Sequence, residues 1–273
     1  MKKQIYPVLY AIAAFLLLSN NSCLKPPVII PHTPFFEITR LKGLTTQLFE
    51  DSINITYNNK NNPVSLIGSR VQTGYPQFLI GYDPQDRLRV IIGAYYDGNP
   101  NYEVAHKYLL DTRKRVMIDS IFNFGTYDRS TLTITTSLYS FFVKKYLYDN
   151  QDRITQVINY RYQGTAYADV VTTTYFYNSA GNAYKINTTV VGPGNTTSSN
   201  DAFPVYDNKI NPHQLHPIWQ LIDVDYSKNN AFVADSYNNY GLPLQINMAG
   251  DPKKGELNFL LFSFVSLEIT YRK

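Results

Sequence analysis

A short phrase recurs along this chain, and a recurring turn limits the possible folds more than any other feature of the sequence. Tyr82-Asp83-Pro84-Gln85-Asp86-Arg87-Leu88 returns as Tyr148-Asp149-Asn150-Gln151-Asp152-Arg153-Ile154. Leu110-Asp111-Thr112-Arg113-Lys114-Arg115-Val116 is a looser copy with leucine in the tyrosine slot. Three more copies open at Tyr57-Asn58, Tyr177-Asn178 and Tyr237-Asn238 and reach Asn61, Gly181 and Gly241, and an imperfect one opens at Tyr206-Asp207. The slots fall at 57, 82, 110, 148, 177, 206 and 237. Self-similarity at such spacing marks a repeat architecture.

The phrase has a mechanical reading. Tyrosine ends an outgoing strand. Asp or Asn comes next at the first turn position, where its side chain bonds the backbone two residues on. Pro84 presets φ for a type I turn. The fourth turn residue is Asp, Asn or Gly, the types that tolerate the left-handed φ of a type I turn closed by a bulge. Lys114 and Ile210 fit that slot poorly, so their turns are expected to differ. Arg, then Leu or Ile, begins the return strand.

β-Branched and aromatic runs such as SINITY, RLRVIIGAYY, RITQVINYRY and VVTTTYFY lie between the turns. In RITQVINYRY, alternation puts Ile154, Gln156, Ile158 and Tyr160 on one face and Thr155, Val157, Asn159 and Arg161 on a half-polar one. RLRVIIGAYY is apolar on both faces, the mark of a strand covered on both sides, and Gly93 suggests a bulge within it. The expected fold is mainly β: a single large antiparallel meander of repeated hairpins, curved into an open barrel or half-barrel. One short helical insert is expected near 212–223, with Pro217 suited to its first position. Trp219, Leu221 and Ile222 would then form a lid over one end of the sheet. Gly192 to Asp201 reads as a flexible loop, and Phe35 to Glu50 is ambiguous.

The chain's start carries an address. Lys2 and Lys3 precede an apolar run, Val8 to Leu18, then small polar residues and Cys23. This is the layout of an export signal, and the run is too short to span a bilayer, which takes about 20 residues. A signal ending at a cysteine resembles a bacterial lipoprotein signal, and that resemblance implies lipid attachment at Cys23, the only cysteine, which has no intramolecular disulfide partner. Residues 1–22 are the expected signal peptide, 23–34 a proline-rich tether and 35–273 the hairpin-repeat domain. Without Lys2 and Lys3, the 25 basic residues fall to 23, against 21 acidic ones. No basic cluster stands out, so nucleic acid is not an expected partner.

The phrase resembles the tyrosine-aspartate (YD) repeat of Rhs-like proteins. From residue 50 to 273 the chain more closely resembles a group of uncharacterised Bacteroidota lipoproteins built from such hairpins. The late phrases Tyr206 to Pro212 and Ser227-Lys228-Asn229-Asn230, with a short helix between them, carry that likeness. The resemblance implies membrane attachment through the lipid on Cys23 but brings no activity with it. The tether lacks the acidic residues that favour surface export in such lipoproteins, which implies the periplasmic leaflet of the outer membrane.

Candidate chemistry is sparse. His213 and His216 have an H-x-x-H spacing with Asp207, Asp223 and Asp225 nearby in sequence, a pattern able to hold Zn²⁺. No Glu stands between them, so the metalloprotease motif is missing. His32 and His106 have no partner phrase. The Asp-rich turns lack calcium-loop spacing, and turn chemistry explains their acids. The tyrosines read as strand residues rather than a sugar-binding face. No catalytic, cofactor-binding or metal residue is assigned, and no cofactor is expected. The leading reading is a non-catalytic binding or structural protein of the cell envelope whose protein or glycan partner is unspecified. The alternatives are a carrier of a lipid or other apolar ligand in a β-sheet cavity, and a metal-dependent hydrolase using His213 and His216.

Overall fold

The turn phrase folds the same way at six places. The computed structural model describes residues 35–163, 166–248 and 255–273. Cys23, the signal of residues 1–22 and the tether of 23–34 lie outside the described residues. The amide of the first turn residue donates to the carbonyl four residues on, at 2.8–3.0 Å, in the turns opening at Asn58, Asp83, Asp111, Asp149, Asn178 and Asn238. Asn61, Asp86, Lys114, Asp152, Gly181 and Gly241 take the left-handed slot, with φ between 58° and 89°. Lys114, expected to break the pattern, keeps it at φ 66°. Asp111 accepts from the amides of Arg113 and Arg115 at 2.9 Å and so fixes the turn around it. Ile210 does depart: after Tyr206 the chain leaves the sheet, and Asp207 bonds Asn230 where a return strand would stand.

Twelve strands come in order: β1 (Glu37–Leu44), β2 (Glu50–Tyr57), β3 (Pro63–Ile67), β4 (Gln77–Tyr82), β5 (Leu88–Ala94), β6 (Asn101–Leu110), β7 (Val116–Asp128), β8 (Thr133–Tyr148), β9 (Ile154–Gln163), β10 (Ala166–Tyr177), β11 (Ala183–Val191) and β12 (Thr197–Ala202). A 3₁₀ turn (Pro212–Leu215) and helix α1 (Pro217–Asp223) come next. The chain ends with β13 (Ser236–Tyr237), β14 (Pro243–Asn247), β15 (Leu257–Phe259), β16 (Phe262–Phe264) and β17 (Ser266–Arg272). From β12 back to β1 each strand pairs with its sequence neighbour; β17 then pairs β1, and β14 and β13 lie beyond it. The result is one 15-stranded antiparallel sheet with β12 and β13 as separate edges, curved but not closed. β15 and β16 form their own hairpin. No helix among the described residues is long and apolar enough to cross a membrane.

Two local readings need correction. Thr197 to Asp201, expected within a flexible loop, belongs to strand β12, paired with β11 from Ile186↔Ala202 to Val191↔Thr197. Its six residues, TSSNDA, are all exposed; polar side chains are one means of protecting a free edge from further pairing. In β9, Ile154 does not share a face with Ile158. The register shift between Leu147 and Tyr148 turns Ile154 into the same buried cluster as Val157. Such a shift accompanies the end of the outgoing strand in all six regular repeats. A one-residue bulge reverses the facing of the residues beyond it.

The sheet buries both faces in its first half. On the inner face, Ile38, Leu41, Ile53, Leu66 and Ile91 are fully buried beneath Trp219, Phe259 and Phe264. Trp219 and Leu221 of α1 are therefore core residues, with Ile222 packed beside them. Burial of such rings dominates core energetics. The turn between β15 and β16 puts Leu260 and Leu261 at φ 50° and 75°. Left-handed conformation costs leucine on the order of 1 kcal/mol per residue; complete burial of Leu260 offsets it. On the outer face Val90, Ile92, Ala94, Tyr102, Ala105 and Tyr127 form a second cluster. The long β7–β8 hairpin covers it: Arg89 donates to the carbonyls of Leu132 and Thr131 at 3.3 and 2.5 Å, and Leu132 packs on the cluster. β5 is thus covered on both sides, as its sequence implied, and its register shifts at Gly93/Ala94.

Candidate functional site

Successive turns are joined along the rim of the sheet by their tyrosines. The hydroxyl of Tyr82 donates to the carbonyl of Pro63 at 2.6 Å, Tyr148 to Val116 at 2.7 Å, and Tyr177 to Ile154 and Tyr206 to Ala183 at 2.9 Å. In each case the acceptor is the first residue of the preceding return strand. Tyr57 and Tyr271 make the same kind of bond to Ile38 and Pro243. Burial raises the Tyr57, Tyr82, Tyr148, Tyr177 and Tyr271 hydroxyls well above the usual tyrosine range. They therefore remain protonated donors.

Arginine adds a second link. Arg87, Arg115 and Arg153 each pair with the aspartate that opens their own turn, at 2.5–2.7 Å. Hydrogen bonds from Arg87 and from the turn amides hold Asp83 below the usual carboxylate range. Partial burial works the other way at Asp111 and Asp149, but the amides and guanidinium groups of Arg115 and Arg153 bring both down. The guanidinium of Arg115 also lies 4.5 Å from the Tyr148 ring centre, and that of Arg153 lies 4.1 Å from Tyr177. A third link is ionic. Lys60 reaches Asp86, and Arg113 and Arg115 reach Asp152 at 2.9 and 2.8 Å.

The seam between the second and third turns has none of the three. Leu110 fills the tyrosine slot, so no hydroxyl reaches toward Leu88 and no ring lies beside Arg87. Lys114 stands where the adjacent turns have Asp86 and Asp152, and among the described residues it has no acidic partner. A cleft of about 740 Å³ runs along the rim beside α1, from Asn62 to Gly181, past this seam and the closed one next to it. Leu88, Leu110 and Val116 line it on the sheet side, and Pro217, Ile218 and Leu221 on the α1 side. Tyr82, Tyr148 and Tyr226 add aromatic surface. Arg87, Lys114, Arg115, Arg153 and Lys228 also line it, against two acids, Asp86 and Asp152. Lys228 lies over Gly181, and among the described residues it too has no acidic partner.

The α1 wall is fixed by the two histidines singled out in the sequence, which do not converge. The His213 ring, buried against Phe259, meets Asn211 Oδ1 at 2.8 Å through Nδ1 and Asp223 Oδ2 at 2.6 Å through Nε2. Burial alone lowers its pKa, but Asp223 and Asp225 overcome this and raise it to about 9. Burial also opposes ionisation of Asp225, whose bonds with His213 and Asn211 nonetheless hold it below the carboxylate range. Asp223 further accepts the Leu260 amide at 2.8 Å, tying α1 to the β15–β16 hairpin. His216 caps α1 instead, its Nδ1 accepting the Ile218 amide at 3.2 Å. Burial lowers it to about 4, so it stays neutral and able to accept. Among the described residues no three His, Cys, Asp or Glu side chains are placed to hold a metal. The H-x-x-H spacing thus builds a structural ion pair and a helix cap.

His106 and Asp119, on neighbouring strands β6 and β7, pair at 2.9 Å, with Tyr146 donating to the same carboxylate at 3.4 Å. No sequence signal linked these three, because the pairing depends on strand register. The turn arginines were readable: Asp-x-x-x-Arg recurs in three copies, a spacing that sets the two side chains side by side across the bulged turn. The inner face is packed with aliphatic and aromatic side chains, and the cleft lies at the rim.

No family model and no curated relative matches the chain. Among solved structures, a porin-like protein from Bacteroides vulgatus ATCC 8482 is similar over 86% of this chain and 98% of that one, at 10% identity and a TM-score of 0.42.

Proposed function

We propose that this chain is a lipid-anchored protein of the bacterial outer membrane, facing the periplasm. Its role is non-catalytic binding, and the rim cleft is the binding site. The cleft carries the reading: 740 Å³ of mostly apolar space with a few polar groups at its edge is the ordinary form of a small-molecule site. The signal-like start, Cys23 and the resemblance of the repeat to Bacteroidota lipoproteins support the location. A carrier of an apolar ligand is the second reading, and the same cleft favours it over a cavity inside the sheet.

Two measurements test this. Cys23→Ala is expected to abolish palmitate labelling and move the protein to the soluble fraction; unchanged labelling would place the anchor elsewhere. The uncharged fluorescent probe N-phenyl-1-naphthylamine is expected to bind the purified protein, and Leu110→Tyr is expected to abolish that binding. Wild-type protein that leaves the probe's emission unchanged would remove the cleft as a binding site.

A further inference from the structure

The third copy of the turn phrase departs from the others at two positions, and both departures line the cleft. Leu110 replaces a tyrosine, leaving an apolar floor where a ring and its hydroxyl would join Leu88. Lys114 replaces the Asp, Asn or Gly found in the other left-handed slots and holds φ 66° there, a conformation that long side chains rarely adopt. The first departure opens space. The second places an ammonium at its edge with no acidic partner among the described residues, although the corresponding slots of the neighbouring turns carry ion-paired aspartates. Lys228 and Arg87 line the same cleft, and Arg87 lacks the aromatic ring that Arg115 and Arg153 stack on. Arg87, Arg115 and Arg153 are paired with the aspartates of their own turns, so the cations of the lining with no acidic partner among the described residues are Lys114 and Lys228, beside an apolar floor.

We infer that the cleft takes a single-chain amphiphile with an anionic head. Its tail lies against Leu88, Leu110 and Ile218, and its head group meets Lys114. The inference rests on the cleft being a binding site and adds the class of ligand. An apolar tail leaves water as it enters, and the head exchanges hydration for charge-assisted hydrogen bonds at the edge, which keeps solvent on one side. Charge complementarity then separates a fatty carboxylate from a neutral chain of equal length.

The test is displacement of N-phenyl-1-naphthylamine from the purified protein, with dodecanoate below its critical micelle concentration, 1-dodecanol and acetate as competitors. Dodecanoate is expected to compete at least tenfold better than dodecanol, and acetate not at all. Lys114→Asn installs a residue suited to the left-handed slot, so thermal stability should hold or rise while the preference for dodecanoate over dodecanol falls severalfold. Lys114→Arg should keep the preference. Equal competition by dodecanoate and dodecanol, or a preference untouched in Lys114→Asn, would overturn the anionic class while leaving the cleft a binding site. A wild-type protein that never binds the probe would overturn both.

Discussion

Two adjacent seams of one rim, built from the same phrase, have opposite structures. Between the third and fourth turns, Tyr148 bonds Val116, Arg115 stacks on the Tyr148 ring, and Asp152 holds Arg113 and Arg115. Between the second and third turns, Leu110 and Lys114 leave none of the three links, and both residues line the cleft that runs on past Tyr148 and Arg153. The backbone scarcely registers the difference: the Lys114 turn keeps the bond from Asp111 to Arg115 and the left-handed fourth residue. The scaffold is therefore set by the turn residues that bond backbone, while the slots facing the neighbouring turn determine whether a seam is closed or open.

The largest expected effect is on the wall that faces the open seam. His213 has a folded pKa raised to about 9 from an ordinary 6.5. Its stabilisation is complete below pH 6.5 and lost as pH rises through 9, on the order of 3 kcal/mol. The groups facing it are Asp223, Asp225, Asn211 and the Phe259 ring. Denaturant unfolding at pH 6.5 and pH 9.5 should show that loss, and His213→Gln should flatten it; equal pH dependence in the variant would assign the effect to other groups.

Next, Tyr148→Leu should make the closed seam resemble the open one. Losing the hydroxyl bond and the Arg115 stacking should cost about 2 kcal/mol and widen the cleft that Tyr148 already lines, so that the naphthylamine probe binds more tightly. The reverse exchange, Leu110→Tyr, should gain about 1 kcal/mol and remove the probe site, provided the new hydroxyl reaches the Leu88 carbonyl. A variant less stable than wild type would show that the ring does not fit the slot. The smallest effect belongs to Asp152→Asn. Its carboxylate is half exposed, so its ion pairs with Arg113 and Arg115 should contribute no more than about 0.5 kcal/mol, vanishing at 1 M salt.

Much of the scaffold could be read from the sequence because its determinants are local. An Asx residue bonding amides two and four residues on, a left-handed fourth residue and an Arg partner are all visible within one phrase. β12 escapes such a reading because TSSNDA has no apolar alternation, and only pairing with β11 makes it a strand. The facing of Ile154 escapes it because a bulge shifts alternation by one residue. Leu110 and Lys114 are visible as departures from the phrase, but the sequence alone does not place both at one opening. That takes the packing of α1, which starts at Pro217, against the rim. His213 and His216 look like a metal pair by spacing; the backbone around Pro217 sends one ring to Asp223 and the other to the helix amides.

The pairing of β1 with β17 has a consequence for how the protein is made. Glu37 lies opposite Arg272, and the two strands are joined across more than two hundred residues. A chain that folds as it emerges amino terminus first leaves β1 with one bare edge until β17 arrives. The meander can zip up hairpin by hairpin, since its contacts are local, but closure of this clasp waits for β17. A product truncated before Ser266 would carry a permanent sticky strand at Glu37–Leu44, open to pairing with another chain.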